Sequence, residues 1–171
     1  MSERKFRTDD WRVWCVTCGG LGMAPVAPGT FGTLGGVLIA WALSSSTSYL
    51  AWSMVAAAAV YLLGRALAPA IEERYGKDPG FFVLDEVVGY LITMAALRGP
   101  SALGLVVGFV VFRTFDVLKP FPIKRLERVG GSDGIMLDDV MAGLYGLAVM
   151  WLLQTLFPGS SPHFWFLGVE R

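Results

Sequence analysis

Three acidic clusters lie at the edges of the most apolar segments of this 171-residue chain. They are Asp85-Glu86, Asp116 and Asp138-Asp139. A carboxylate beside apolar sequence is energetically unfavourable unless it is paired or binds a metal ion. These five carboxylates, together with nearby cations, therefore indicate a divalent-metal site that acts on a phosphate group.

Basic residues accompany the second acidic cluster at helical spacing. Arg113, Asp116 and Lys119 follow one another at intervals that place them on one face of a helix. Pro120 predicts that this helix ends at Lys119, because proline restricts the residue before it. A lysine at such a boundary can extend its ammonium group to a lipid phosphate. We therefore expect Arg113 and Lys119 to bind substrate, although both also fit ordinary anchoring at a membrane surface.

A glycine-rich segment, PVAPGTFGTLGG at residues 25–36, precedes the first apolar stretch. Its glycines free the backbone, and Thr30 and Thr33 offer hydroxyl groups. A flexible turn that leads into a helix can bind phosphate through backbone N–H groups, so both threonines are candidate substrate ligands. Thr30 fits the role of a simple helix N-cap equally well.

The composition indicates a membrane protein. Hydrophobic residues make up 54% of the chain and charged residues 16%, and the mean hydropathy is +0.57. The formal net charge is zero, so the global basic field of a nucleic-acid-binding protein is absent and no nucleic acid partner is expected. The charged N-terminal sequence does not resemble a secretory signal peptide.

Five apolar segments predict an all-α fold, because they are too long and too rich in Ala, Leu and Met for ordinary strands. They occupy residues 34–43, 49–67, 81–97, 103–115 and 140–157. We expect one domain over residues 1–171, a compact helical bundle embedded in or associated with a membrane. Only the second and fifth segments comfortably meet the ~20 apolar residues, with a range of ~17–25, that span a bilayer. The first is expected to be re-entrant or partly buried in protein.

The positions of the basic residues predict the topology. If the N-terminus is cytoplasmic and the segments alternate, then of the 14 Lys and Arg residues only Arg98 and Arg171 fall outside. The same arrangement brings all three acidic clusters to the cytoplasmic face. The turn between the third and fourth segments, at residues 98–100, then lies on the far side.

Each acidic pair also has a simpler interpretation as a solvated group at a helix N-terminus. Asp138-Asp139 in particular are expected at a helix start, where negative charge is favourable. Convergence of the three clusters on one face favours a metal site.

The CxxC of Cys15 and Cys18 lacks the βαβ context of a redox pair, and the lone His163 lies in an aromatic tail. Metal and carboxylates are thus left as the chemistry.

Four sequence blocks resemble the phosphatidylglycerophosphatase A family of bacterial phospholipid biosynthesis. They are PVAPGTFGTLGG at 25–36, VLDEVVG at 83–89, FRTFDVLKPFPI at 112–123 and GIMLDDVMAG at 134–143. Residues 1–24 and 159–171 fall outside the resemblance. It implies an all-α, Mg²⁺-dependent phosphatase of the bacterial inner membrane, which converts phosphatidylglycerophosphate to phosphatidylglycerol and phosphate. The positions that it carries over are Thr30, Asp85, Glu86, Arg113, Asp116, Lys119, Asp138 and Asp139.

These expectations assign a role to each residue. Asp85, Glu86, Asp116, Asp138 and Asp139 would bind Mg²⁺. Asp85, Asp116, Asp139 and Lys119 would act in catalysis, with water or an aspartate as the nucleophile. The active site would face the cytoplasm and take a phospholipid from the membrane. Two alternatives are a small ion-coupled transporter that uses the clustered acids and a non-catalytic assembly factor with glycine-rich helices.

Overall fold

Helices build the computed structural model, which describes residues 9–97, 99–126 and 131–157. The described residues contain no strand, as the sequence predicts. The helices are α1 (Trp11–Val16), α2 (Pro28–Leu43), α3 (Tyr49–Tyr75), α4 (Leu84–Met94), α5 (Ala102–Leu118), α6 (Ile123–Leu126) and α7 (Gly131–Leu156), with a 3₁₀ turn at Leu21–Met23. The predictions for Arg98, His163 and Arg171 fall outside the described residues.

Helix α4 occupies the centre of the bundle and contacts α2, α3, α5 and α7. Eight of its 11 residues are buried, including Tyr90, Leu91 and Met94, as is typical of a core helix. Two glycines allow α7 to approach it closely. A Cβ atom added at Gly143 would lie 2.5 Å from the Gly89 carbonyl oxygen. The acids at the start of α4 are therefore carried by a helix that is packed among four others.

The long helices run in two opposite directions. Gly143 of α7 faces Gly89 of α4 and Gly146 faces Thr93, so α7 runs parallel to α4. Helix α5 runs the opposite way, because its Phe112 packs beside Gly89 and its Gly108 packs beside Met94. Helices α2, α4 and α7 thus begin at the end of the bundle where α3 and α5 finish, and that end holds all three acidic clusters.

The helix limits differ from the apolar segments at several places. Helix α2 begins at Pro28, six residues before the apolar stretch, since proline at the first helical position fits the helix without loss of a hydrogen bond. Helix α3 continues to Tyr75 through the charged residues Glu72, Glu73 and Arg74, which a hydropathy criterion excludes. Lys119 caps the end of α5 with φ +42°, so the predicted end before Pro120 is confirmed.

The prediction that Asp138-Asp139 mark a helix start is wrong. Helix α7 already begins at Gly131, and the aspartates lie in its third turn. The glycines in the sequence GGSDG suggest a break, but tertiary contacts override that signal. Ile135 and Met136 are buried in the core, and Asp133 forms an ion pair with Arg65 of α3.

Large apolar side chains cover the outer faces of the long helices. Among the residues that the structure describes, α3 and α7 each contain a stretch that is long and apolar enough to cross a membrane, and only 28% and 44% of these stretches are buried in the protein. Trp41, Trp52 and Trp151 are 64%, 55% and 60% exposed and lie near the helix ends remote from the acids. Exposed tryptophans near the ends of apolar helices are typical of a membrane interface. Helix α2 is half-buried in the bundle, with Gly35 and Gly36 on its inner side.

Replacement of Gly143 by alanine tests the close approach of α4 and α7. The added methyl group would meet the Gly89 carbonyl at 2.5 Å, so the two helices must separate. We expect a loss of about 1–3 kcal/mol in the free energy of unfolding, the usual effect of overpacking. Thermal unfolding in detergent measures the change. An unaltered unfolding temperature would show that the helices tolerate separation.

Candidate active site

One cavity at the end of the bundle gathers the predicted acidic residues. Its volume is about 430 Å³. Six of the predicted site residues line it, namely Asp85, Glu86, Asp116, Lys119, Asp138 and Asp139. They come from the first turn of α4, the third turn of α7 and the end of α5, so residues more than fifty positions apart meet in the fold. The predicted convergence of the three clusters is present.

Three carboxylates form the tightest group in the cavity. One oxygen each of Asp85, Glu86 and Asp139 lies within 4.8 Å of the other two. Asp139 is buried, and the other two are half-buried. Like charges at this separation repel one another strongly in a low-dielectric environment. The arrangement is therefore unfavourable without a cation or a proton, and its oxygen ligands match the preference of Mg²⁺.

Unsatisfied acceptors support a cation at this position. Glu86 Oε2 and Asp138 Oδ1 are buried and accept no hydrogen bond from the part of the chain that the structure describes. Buried acceptors without partners are rare in folded proteins, because each one loses its hydration without compensation. Both atoms belong to residues that line the cavity. The oxygen set thus fits a hard divalent cation at the centre of the acidic cluster.

The other two acids form ion pairs. Lys119 donates from Nζ to Oδ2 of Asp138 at 2.8 Å, and Arg113 pairs with Asp116 one helical turn later on α5. The five predicted metal ligands therefore divide into a group of three and two cation-paired acids. Arg113 does not line the cavity and acts behind Asp116, whereas Lys119 faces the cavity itself. Sequence spacing placed both cations on one face but did not reveal this difference.

The first turn of α4 sets the position of Asp85 and Glu86. Leu84 and Val83 are buried beside them, and the backbone N–H of Val83 donates to the Val16 carbonyl at 2.9 Å. Asp85 Oδ1 accepts a hydrogen bond from the Glu86 backbone N–H at 3.1 Å. Burial and then the neighbouring Glu86 carboxylate raise the pKa of Asp85 well above its ordinary value. Burial also raises the pKa of Glu86.

The glycine-rich segment provides space for the site. A Cβ atom at Gly29 would overlap Glu86 Oε1 and would lie 3.1 Å from Nη1 of Arg113. Farther along α2, Gly36 packs against Tyr90, so the helix runs beside α4. Thr33 is fully buried and donates its hydroxyl to the Gly29 carbonyl at 2.8 Å. The segment thus contributes most directly to the acidic cluster through Gly29, which has no side chain and so leaves space for the Glu86 carboxylate.

Neither predicted threonine ligand belongs to the described lining of the cavity. Thr30 is half-buried in the first turn of α2, and its N–H donates to the Ala27 carbonyl at 2.9 Å. The N-cap of α2 is Ala27, so the alternative interpretation of Thr30 as N-cap is wrong.

Cys15 and Cys18 are both free thiols, and burial raises the pKa of Cys18, which disfavours its reactive thiolate form.

A loop between α3 and α4 supplies cavity residues that sequence reasoning missed. Lys77, Asp78, Gly80 and Phe82 form this part of the wall. The Pro79-Gly80 motif predicted a turn, but nothing in it indicated that the turn borders a functional site. Adjacent opposite charges at Lys77 and Asp78 are ordinary on a surface, so only the fold reveals that they face the acidic cluster.

The family model described as phosphatidylglycerophosphatase A matches residues 14–154 of the chain. The matched range includes every described helix except the first three residues of α1 and the last two of α7. All acidic and basic residues that line the cavity lie within it. No solved structure matches the chain.

Curated relatives cover most of the chain. The phosphatidylglycerophosphatase A of Haemophilus influenzae is 36% identical over 137 residues, which are 79% of this chain and 83% of the relative. That of Escherichia coli is 31% identical over 168 residues, 95% and 89% of the two chains. A Bacteroides thetaiotaomicron protein, provisionally named a phosphatidylinositol-3-phosphatase, is 35% identical over 136 residues, 77% and 86% of the two chains.

Proposed function

We propose, from the premise that this chain belongs to the phosphatidylglycerophosphatase A family, that its substrate is phosphatidylglycerophosphate. Membership makes the chain a phosphoric monoester hydrolase. The products would be phosphatidylglycerol and inorganic phosphate, as a step in phospholipid biosynthesis. The observation that carries the proposal is the cavity in which three carboxylate oxygens lie within 4.8 Å of one another beside Lys119. Clustered oxygen ligands beside a cation suit a divalent metal and a phosphate group.

Mg²⁺ is the proposed cofactor. Asp85, Glu86 and Asp139 would hold it, and Asp138 Oδ1, which accepts no hydrogen bond from a described residue, is a further acceptor in the same wall. The ion, when bound, would offset the negative charge of the carboxylates and of the phosphate. Hard oxygen ligands favour Mg²⁺ over softer metals such as zinc, which prefers nitrogen and sulfur.

The protein's own residues would position and stabilise the phosphate. Lys119 places its ammonium at the cavity wall, where it can neutralise phosphoryl oxygens as charge develops on them. Arg113 pairs with Asp116 and so fixes the direction of that carboxylate. Asp116 lies outside the group of three oxygens and is the proposed base that accepts a proton from water. Attack by an aspartate carboxylate is the alternative first step.

We also place the protein in the bacterial inner membrane with the cavity towards the cytoplasm. Basic residues concentrate on the side of the cavity under the alternating topology. Val117, Leu118 and Phe121 are exposed beside Lys119, so acyl chains can remain in lipid while the headgroup enters the cavity. The ion-coupled transporter is disfavoured by family membership, and because the acids lie at one end of the bundle.

Phosphate release by the purified protein in detergent, with phosphatidylglycerophosphate as substrate, tests the proposal. We expect turnover with Mg²⁺ and a loss of about a hundredfold or more with EDTA, because the carboxylates then repel the phosphate. Restoration by added Mg²⁺ controls for damage by the chelator. Full turnover in EDTA would contradict the metal assignment. No release under any condition would contradict the substrate.

A further inference from the structure

The loop between α3 and α4 is held firmly at the rim of the cavity. Gly76 ends α3 with φ +92°, and its N–H donates to the Glu72 carbonyl at 2.9 Å. Asp78 adopts φ +46°, and its N–H donates to the Glu72 carboxylate at 3.3 Å. Phe82, which donates its N–H to the Pro79 carbonyl at 2.8 Å, is buried at the far end of the loop. The backbone that carries Lys77 is thereby held at the cavity wall.

Lys77 differs from the other cations near the site. Lys119 is paired with Asp138, and Arg113 is paired with Asp116. Lys77 lines the same cavity, is exposed, and forms no ion pair or hydrogen bond with any residue that the structure describes. Its ammonium group is therefore available to an anion that enters from solvent or lipid.

The proposed substrate carries two anions of different kinds. The phosphomonoester is hydrolysed, whereas a phosphodiester joins the same glycerol to the diacylglycerol and is retained in the product. A diester anion beside several carboxylates meets strong repulsion unless a cation faces it. If the monoester occupies the acidic cluster next to Lys119, the diester must lie farther out, towards the rim. The relatives' names all refer to phosphatidyl lipids, whose headgroups are joined through such a diester.

We propose that Lys77 is a specificity-determining residue that binds the phosphodiester of the lipid substrate. The assignment rests on the proposed function, since it requires a phosphatidyl lipid with its monoester in the acidic cluster. Lys77 would make the enzyme prefer phosphomonoesters that are attached to a diester over those that are not. It contributes binding at the rim and takes no part in bond cleavage.

Inhibition by the two products tests this contact separately from the reacting phosphate. Short-chain phosphatidylglycerol contains the diester without the monoester, whereas inorganic phosphate contains neither the glycerol nor the diester. In Lys77→Ala we expect the inhibition constant of phosphatidylglycerol to rise about tenfold, the effect of losing one charge-assisted hydrogen bond. The inhibition constant of phosphate should stay within about twofold on the same basis. KM for phosphatidylglycerophosphate should rise more than kcat falls, and Lys77→Arg should restore most of the affinity.

Lys124→Ala is the matched control. Lys124 is an exposed lysine on α6 at the same end of the bundle, and it does not line the cavity. An equal loss of phosphatidylglycerol affinity in both variants would assign the effect to general attraction of anionic lipid and would overturn the proposal. An unchanged inhibition constant in Lys77→Ala would also overturn it. Failure of the proposed function is distinct, because the unmodified protein would then release no phosphate.

Discussion

Replacement of Asp85 by asparagine is expected to reduce phosphate release severely and yet to stabilise the metal-free protein. Asp85 contributes one of the three carboxylate oxygens within 4.8 Å of one another, and neutralising it removes repulsion within a partly buried cluster. We expect kcat/KM to fall about a thousandfold. In EDTA, the unfolding temperature should rise by about 2–4 °C, as ~1 kcal/mol produces in a chain of this size.

The effect of Mg²⁺ on the unfolding temperature distinguishes a metal ligand from an acid that only stabilises the fold. A cation at 100 times its Kd stabilises the folded state by about 2.7 kcal/mol, so Mg²⁺ should raise the unfolding temperature of the unmodified protein but not that of Asp85→Asn. Asp133→Asn is the matched control, because Asp133 lies at the same end but pairs with Arg65. It should retain activity and the response to Mg²⁺. An Asp85→Asn protein that still turns over substrate would refute the site.

Replacement of Gly29 by alanine is expected to inactivate the enzyme through a single methyl group. The new Cβ would overlap Glu86 Oε1 and would lie 3.2 Å from Glu86 Cδ, so this carboxylate must move. A shift of about 1 Å at a catalytic centre can reduce turnover a hundredfold. We therefore expect kcat to fall by about that factor. Phosphate release and thermal unfolding, measured on the same preparation, test whether activity is lost more than stability.

Gly35→Ala provides the comparison for Gly29→Ala. Gly35 lies on the same helix, and its added Cβ would lie 2.5 Å from the Cys18 sulfur, away from the acids. This variant should lose stability by about 1–3 kcal/mol through overpacking while the remaining folded protein keeps its kcat. Equal losses of kcat in the two variants would show that α2 affects activity through global packing rather than through Glu86.

The apolar segments predicted α3, α5 and α7 well, because the outer faces of these helices carry exposed apolar side chains and the helices are therefore apolar along most of their length. Helix limits were less predictable. Charged residues at the end of α3 and glycines at the start of α7 hide helices that tertiary contacts stabilise, as the Arg65–Asp133 ion pair does. Local preference is weak when such contacts oppose it.

The positions of the basic residues, together with the alternating direction of the apolar segments, were sufficient to predict that Asp85, Asp116 and Asp139 lie at one end of the bundle. Which acids approach one another most closely depends on side-chain packing, which has no simple sequence signal. The same is true of Gly29, whose value lies in the volume that it leaves for Glu86. Lys77 could not be identified from sequence, because a lysine in a polar turn has the composition of an ordinary surface loop.

Helix α4 has only 11 residues, about 17 Å at the rise of an α-helix. That length is little more than half of a ~30 Å hydrocarbon layer. The acidic end of this short central helix lines a cavity together with residues of the longer helices α5 and α7. On the proposed function, the reaction's two products then leave by different routes. The dephosphorylated lipid diffuses sideways within its leaflet, whereas phosphate escapes into bulk water. Their separation favours hydrolysis over its reversal.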